Sequence, residues 1–170
     1  MVSEGLFKEL NKQITYEFYS CNLYLAMAAY CASEDMDGFS NFFRVQADEE
    51  RFHAMKIYDY IHEMGGRVIM EQIDEPNNDY SSILDVFEKG YEHEKFVTSR
   101  FYYLTDMAME EREHATINFL KWFIDEQREE ENSFLALVKK LRKIGDNPAG
   151  LMLLDSELSQ RTFVAPIDGK

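Results

Sequence analysis

The sequence predicts an all-α protein: a four-helix bundle with one long crossover between helices two and three, and a short fifth helix near the C-terminal end. Three observations carry this. Only three prolines and eight glycines punctuate 170 residues, which leaves long stretches without a helix breaker. Four segments each place apolar residues at alternating steps of three and four, the seam of a helix packed in a bundle. A content of 45% hydrophobic and 14% aromatic residues suits one sizeable core rather than disorder. A single unit over 1–170 is expected, with the bundle at about 4–145, the short helix at about 148–160 and a tail over 161–170.

The first helix begins near Glu4 and ends in "SEDMDG", Ser33 to Gly38; its seam is Leu10, Ile14, Glu17, Cys21, Tyr24, Ala28, Cys31. The second has the seam Phe39, Phe43, Gln46, Glu50, His53, Ile57, Tyr60, Met64 and stops at Gly65-Gly66, a C-cap signal. The third starts at Ser81 or Ser82, where Ser82 with Asp85 resembles a capping box. Its seam is Leu84, Phe87, Tyr91, Glu94, Thr98, Phe101, Thr105, Ala108. A weakly marked boundary falls between Glu110 and His114. The fourth helix has Leu120, Phe123, Gln127, Glu130, Phe134, Leu137, Leu141, Ile144 and ends at Gly145; Asn147-Pro148 then supplies an N-cap and a first-turn proline.

The connections set the topology. The short link at 34–37 makes the first two helices antiparallel neighbours. The linker from Gly66 to Tyr80 has 15 residues and extends to about 50 Å, longer than the roughly 42 Å of a 28-residue helix, so it can cross the bundle. The third helix then runs parallel to the second. An up-down bundle with a slack loop is the alternative, although structureless loops this long are uncommon.

Charge and cysteine usage narrow the function. Thirty-two acids against 18 Lys and Arg give a net charge of −14, which repels nucleic acid and anionic membranes and attracts cations. Cys21 and Cys31 lie about 15 Å apart along one helix and cannot bridge each other. Cys21 reads as a small buried residue. With no CxxC, a rubredoxin-type or zinc-ribbon site is excluded. "MVSEGLFKELNKQ" has no apolar signal region and no apolar run reaches membrane-spanning length, so a cytoplasmic protein is expected.

Each seam is interrupted near its middle by a carboxylate: Glu17, Glu50, Glu94 and Glu130. An isolated ionised carboxylate in a dry core either neutralises or finds a partner. His53 is the only basic residue on the seams, and no seam Lys or Arg can pair the four acids. Multivalent cations resolve this. Glu50 and His53 are i, i+3 and share a helix face, and a Glu from each of two helices plus a Glu-x-x-His pair is most of a two-metal carboxylate site in a bundle core. Oxygen-rich ligands with one imidazole suit iron or manganese better than structural zinc. A lone Glu-x-x-His is a common accident, and Glu111-x-x-His114 reads as a solvated helix end. Four helices erring at matching heights is a different matter.

Glu17, "EERFH" (Glu49 to His53), Glu94 and "EQREEE" (Glu126 to Glu131) together resemble the ferritins, and among them the non-haem bacterial ferritins, over nearly the whole chain. The resemblance implies a first iron held by Glu17, Glu50 and His53, with Glu50 bridging. A second iron would be held by Glu94 and Glu130 with Gln127 close by. A third position would use Glu49, Glu126, Glu129 and shared Glu130. Glu50 and Tyr24 would be the catalytic residues, Tyr24 as electron donor or as hydrogen-bond donor to a ligand. Asp125 and Glu131 receive no role and read as solvated.

Departures sort the subfamilies. Phe52 stands where bacterioferritins carry a haem-binding Met, and Gln127-x-x-Glu130 replaces their second Glu-x-x-His, so no haem is expected. Asn118 and Lys121 align where animal ferritins line pores with acids, leaving the iron entry route open. In the family the helix carrying Leu151, Met152, Leu154 and Leu158 lines the four-fold axis of a hollow twenty-four-subunit shell. No place for it is evident in the four-helix core, so its apolar face is expected to need a partner, with docking on the chain's own bundle as the alternative. The implied activity is ferroxidase and iron storage: Fe(II) and dioxygen (or peroxide) as reactants, and Fe(III) oxyhydroxide mineral inside a homo-oligomer. Two other readings use the same residues: a di-iron oxidase without a cage, and a metal-free helical interaction protein whose polar seam residues set register.

Overall fold

A computed structural model describes residues 2–166 of the chain; residues 167–170 of the expected tail lie outside the described residues. Five helices follow in order: α1 (Glu4–Ser33), α2 (Asp37–Glu63), α3 (Ile83–Glu110), α4 (His114–Ile144) and α5 (Pro148–Leu158). Local chemistry explains most of the starts. The Leu6 N–H donates to Ser3 Oγ ahead of α1. Asp85 N–H donates to Ser82 Oγ while Asp85 Oδ2 accepts from Ser81 N–H, a capping arrangement displaced by one residue from the usual box. Asn147 Oδ1 accepts from Ala149 and Gly150 N–H ahead of α5. α2 stops at Glu63, and Gly65 follows it at φ +78°.

The linker crosses the bundle. Asn11 donates to the Arg67 carbonyl and accepts from Ile69 N–H near the start of α1. At the far end of α1, Tyr80 meets Tyr30 edge-on with ring centroids 5.3 Å apart. The segment after α2 therefore travels the length of α1 before α3 begins, and α3 runs parallel to α2. Ser3 Oγ donates to Glu111, tying the start of α1 to the end of α3. The up-down alternative is eliminated.

α1 packs on α2 and α3 on α4 as antiparallel pairs. Side chains join α2 to α4: Phe42 meets Phe134 at 5.5 Å, and Tyr60 stacks on Phe119 at 3.8 Å. The apolar core falls into two halves, one built around Phe39, Phe43, Phe87 and Phe134, the other around Leu10, Ile57, Phe101 and Phe123. Between them lies a buried polar layer of Gln13, Glu17, Gln46, Glu50, His53, Glu94, Gln127 and Glu130. Cys21 is partly rather than fully buried, packed against the first half of the core. A strict three-four spacing drifts about 20° per heptad on a straight helix, so some seam positions rotate toward solvent.

The short helix finds part of the partner its apolar face needs on its own bundle, the alternative to a neighbouring subunit. Leu154 and Leu158 are buried against the chain's own α2. Gly38 makes this possible, because a Cβ there would lie 1.7 Å from the Asp155 carbonyl oxygen. α2 has no side-chain cap from its own flanking residue; Asp155 Oδ1 instead accepts the Phe39 N–H at 2.9 Å, so α5 caps α2. Met152 and Leu153 stay exposed on the other side.

Candidate metal centre

The middle of each long helix sends polar side chains into the same layer. α1 supplies Glu17, α2 supplies Glu50 and His53 one turn apart, α3 supplies Glu94, and α4 supplies Gln127 and Glu130, also i, i+3. All six are at least 94% buried, with Glu130 the most exposed at 6%. Aromatic rings enclose them. Tyr24 packs against Phe43 and Phe134 at 6.0 and 5.8 Å in a three-ring cluster, and His53 lies against Trp122 and Phe123.

One half of the layer is short of partners. One ligand atom each from Glu17, Glu50 and His53 lies within 4.8 Å of the others. His53 Nδ1 is 3.7 Å from Glu17 Oε2 and 3.5 Å from Glu50 Oε2, too far for good hydrogen bonds. Glu17 Oε2, both Glu50 oxygens and His53 Nδ1 are buried without a hydrogen-bond partner. Such orphaned atoms are costly, and a cation placed among them would meet one ligand atom from each of the three residues. Glu17 Oε1 does have a partner, accepting from Gln13 Nε2 at 2.6 Å.

The other half is held by donors. The Tyr24 hydroxyl donates to Glu94 Oε1, Gln127 Nε2 donates to Glu94 Oε2 at 2.9 Å, and Gln46 Nε2 donates to Glu130 Oε2 at 2.8 Å. Tyr24 thus stands behind Glu94, and Gln127 turns its amide nitrogen, not its oxygen, toward the carboxylate.

Electrostatics follow the burial. Burial and the neighbouring Glu130 charge push the Glu94 carboxyl up to about 8. Burial and Glu49 push Glu130 up to about 7. Burial, reinforced by Glu94 and Glu17, holds Glu50 well above the usual carboxylate range. Burial opposes charge on His53, but Glu17 and Glu50 outweigh it and raise the imidazole well above its ordinary value. Tyr24 is raised by burial and by Glu94. The layer therefore retains protons at neutral pH that an entering cation would displace.

The expected third cluster assembles only in part. Glu49 is part-buried, and both its oxygens accept from Arg161 Nη2, at 3.1 and 2.9 Å. Glu126 is half-buried beside Glu130, its carboxyl raised by burial. Glu129 points to solvent. Of the two acids expected to be solvated, Asp125 is, in an exposed pair with Lys121 at 2.5 Å, whereas Glu131 is part-buried and accepts from Thr98 Oγ1 at 2.6 Å across the α3–α4 contact. His93 escaped the sequence reading because it steps off the α3 seam. It shares a 2.7 Å hydrogen bond with Ser20 Oγ, lies edge-on to Tyr24, and is pushed down to about 4 by burial.

Comparison with known proteins agrees with this architecture. The family model for the ferritin-like domain matches residues 7–144. The bacterial non-heme ferritins of Staphylococcus aureus and Staphylococcus epidermidis are each 45% identical over 163 residues, 96% of this chain and 98% of theirs. An open-pore ferritin from the hyperthermophilic archaeon Archaeoglobus fulgidus superposes with a TM-score of 0.95 at 49% identity, covering 95% of this chain and 100% of that one. A humanized archaeal ferritin gives 0.95 at 48% identity, with 96% and 99% covered. The match spans the four long helices, and the chain belongs to the ferritin family.

Proposed function

We propose that the protein is an iron-storage ferritin with ferroxidase activity. It binds two Fe(II) ions in the polar layer, oxidises them and passes Fe(III) on as oxyhydroxide mineral inside a hollow homo-oligomeric shell, in the cytoplasm. The observation that carries the reading is the set of buried, unpartnered ligand atoms on Glu17, Glu50 and His53, beside two further carboxylates in the same layer. Among the described residues no helix is long and apolar enough to cross a membrane.

Glu17, Glu50 and His53 take one iron, Glu94 and Glu130 take the other, and Glu50 bridges. Tyr24 and Gln127 fix the two Glu94 oxygens, and Gln46 fixes Glu130, so these ligands are oriented before metal arrives. Binding displaces protons from Glu50, Glu94 and Glu130. Two Fe(II) give up one electron each, and dioxygen with two protons leaves as hydrogen peroxide; peroxide is the alternative oxidant. Carboxylates favour this step because they stabilise the higher charge of Fe(III), and the bundle holds both ions close together. Glu50→Ala should abolish fast oxidation, read as ferric absorbance after anaerobic loading and air, while leaving the assembly intact. Wild-type rates in that variant would sink the assignment.

A second reading keeps the centre and drops the cage. It draws on the docking of Leu154 and Leu158 onto the chain's own bundle, which removes part of the demand for a neighbouring subunit. Native mass separates the two: a large multiple of 20.0 kDa supports storage, and a monomer or dimer supports a small di-iron oxidase.

A further inference from the structure

The residue that holds Glu49 lies 112 positions away in sequence. Arg161 follows α5 by three residues and is fixed in two ways besides its bond to Glu49. Asn41 Nδ2 donates to its carbonyl at 2.9 Å, and its guanidinium sits over the Phe42 ring, 4.5 Å from the centroid. Nη2 donates to both Glu49 oxygens, whereas Nη1 is buried without an acceptor. The side chains of Arg161 and Glu49 are only 27% and 22% exposed. The same positive charge acts on Glu130, the carboxylate that links Glu49 to the polar layer.

A guanidinium that occupies both oxygens of a carboxylate fills the place a cation would take. The contrast with the core trio is direct: Glu17, Glu50 and His53 carry no such occupant, whereas Glu49 carries one delivered by the segment after α5. We propose that Arg161 is a tethered competitor for metal at Glu49, so that an ion settles beside the two-metal centre only when the guanidinium leaves. The inference rests on the iron reading above and adds an order to it. The core positions fill first, and the position at Glu49, Glu126 and Glu130 fills last and most weakly. When metal is scarce the arginine neutralises Glu49 beside Glu130; when metal is abundant it gives way.

Anaerobic calorimetric titration of the assembled, metal-free protein with Zn(II), a redox-inert probe, tests this. Wild-type protein should show tight core binding and a weaker class. Glu49→Gln should lose the weaker class. Arg161→Gln should tighten that class by about three- to tenfold, the range expected for a partly buried ion pair. Arg161→Lys keeps a charge but has a more strongly hydrated head than the guanidinium stacked on Phe42, so it should fall between. The double variant should match Glu49→Gln, because Arg161 acts through that carboxylate. Native mass and circular dichroism confirm that each variant assembles, and the lysine variant still decides if the glutamine variant does not. A weak class lost in Glu49→Gln but unchanged by either arginine substitution overturns the competition. A weak class that survives Glu49→Gln also overturns it, since no metal then depends on that carboxylate. The iron reading itself fails in a different way, with no tight zinc in the wild-type protein at all, and the inference falls with it.

Discussion

Metal entering the polar layer at neutral pH should expel protons in a number that depends on pH. At pH 7 a carboxyl at about 8 holds roughly 0.9 proton and one at about 7 holds roughly half, so Glu94 and Glu130 together surrender about 1.4 protons per subunit when both become ligands. At pH 8.5 the same pair holds only about 0.3, so proton release should fall by about one proton between the two conditions. Glu50 and His53 are both raised above their ordinary values and so act in the same direction. Anaerobic Zn(II) calorimetry in buffers of differing ionisation enthalpy reads the released protons directly. Release near zero at pH 7, or constant from pH 7 to 8.5, would refute the claim that buried Glu94 and Glu130 are protonated in the metal-free protein and ionise on binding.

The same shifts set the stability of the metal-free protein. Because the folded-state values of Glu94 and Glu130 lie above their unfolded values, their contribution is complete below about pH 4.5 and is lost as pH rises through 7 and 8. The thermal midpoint of chelated protein should therefore drop between pH 6 and 8.5, and saturating Zn(II) should remove most of that drop; a chelated midpoint that climbs with pH would contradict the sign. Gly38→Ala should lift α5 off α2, since the new methyl would meet the Asp155 backbone, at a cost of about 1–3 kcal/mol in urea unfolding, and a neutral result would mean the docking is not tight. Gly90→Ala should cost a similar amount, about 1–3 kcal/mol, despite alanine's better helix propensity. Its methyl would lie 2.4 Å from the buried Phe134 ring that stacks on Tyr24; a stabilised variant would show that the ring can move aside.

Much of this architecture was legible in the sequence because it is written in local spacing. The three-four seams, the caps at Ser82 and Asn147 and the stop before Gly65 each depend on residues a few positions apart, and the structure realises them at those places. The mid-height carboxylates were legible for the same reason: a glutamate on a seam has a position along the bundle fixed by 1.5 Å per residue. What stayed hidden depends on distant contacts. The docking of α5 rests on a missing side chain at Gly38, and only that docking brings Arg161 to Glu49. Gln46 appeared as an ordinary polar seam residue until the layer showed it donating to Glu130, and Gln127, expected beside the second iron, donates its amide nitrogen to Glu94. His93 sits one residue from Glu94 but faces Ser20 and the edge of Tyr24, a direction that one helix's periodicity does not give.

The central claim is that the polar layer holds two metal ions between the four long helices. Anomalous diffraction at the iron edge, on crystals loaded anaerobically with Fe(II), tests it most directly. The account predicts one peak among Glu17, Glu50 and His53 and a second between Glu50, Glu94 and Glu130, both lost in Glu50→Ala. Iron confined to surface carboxylates, with no peak inside the layer, would contradict it.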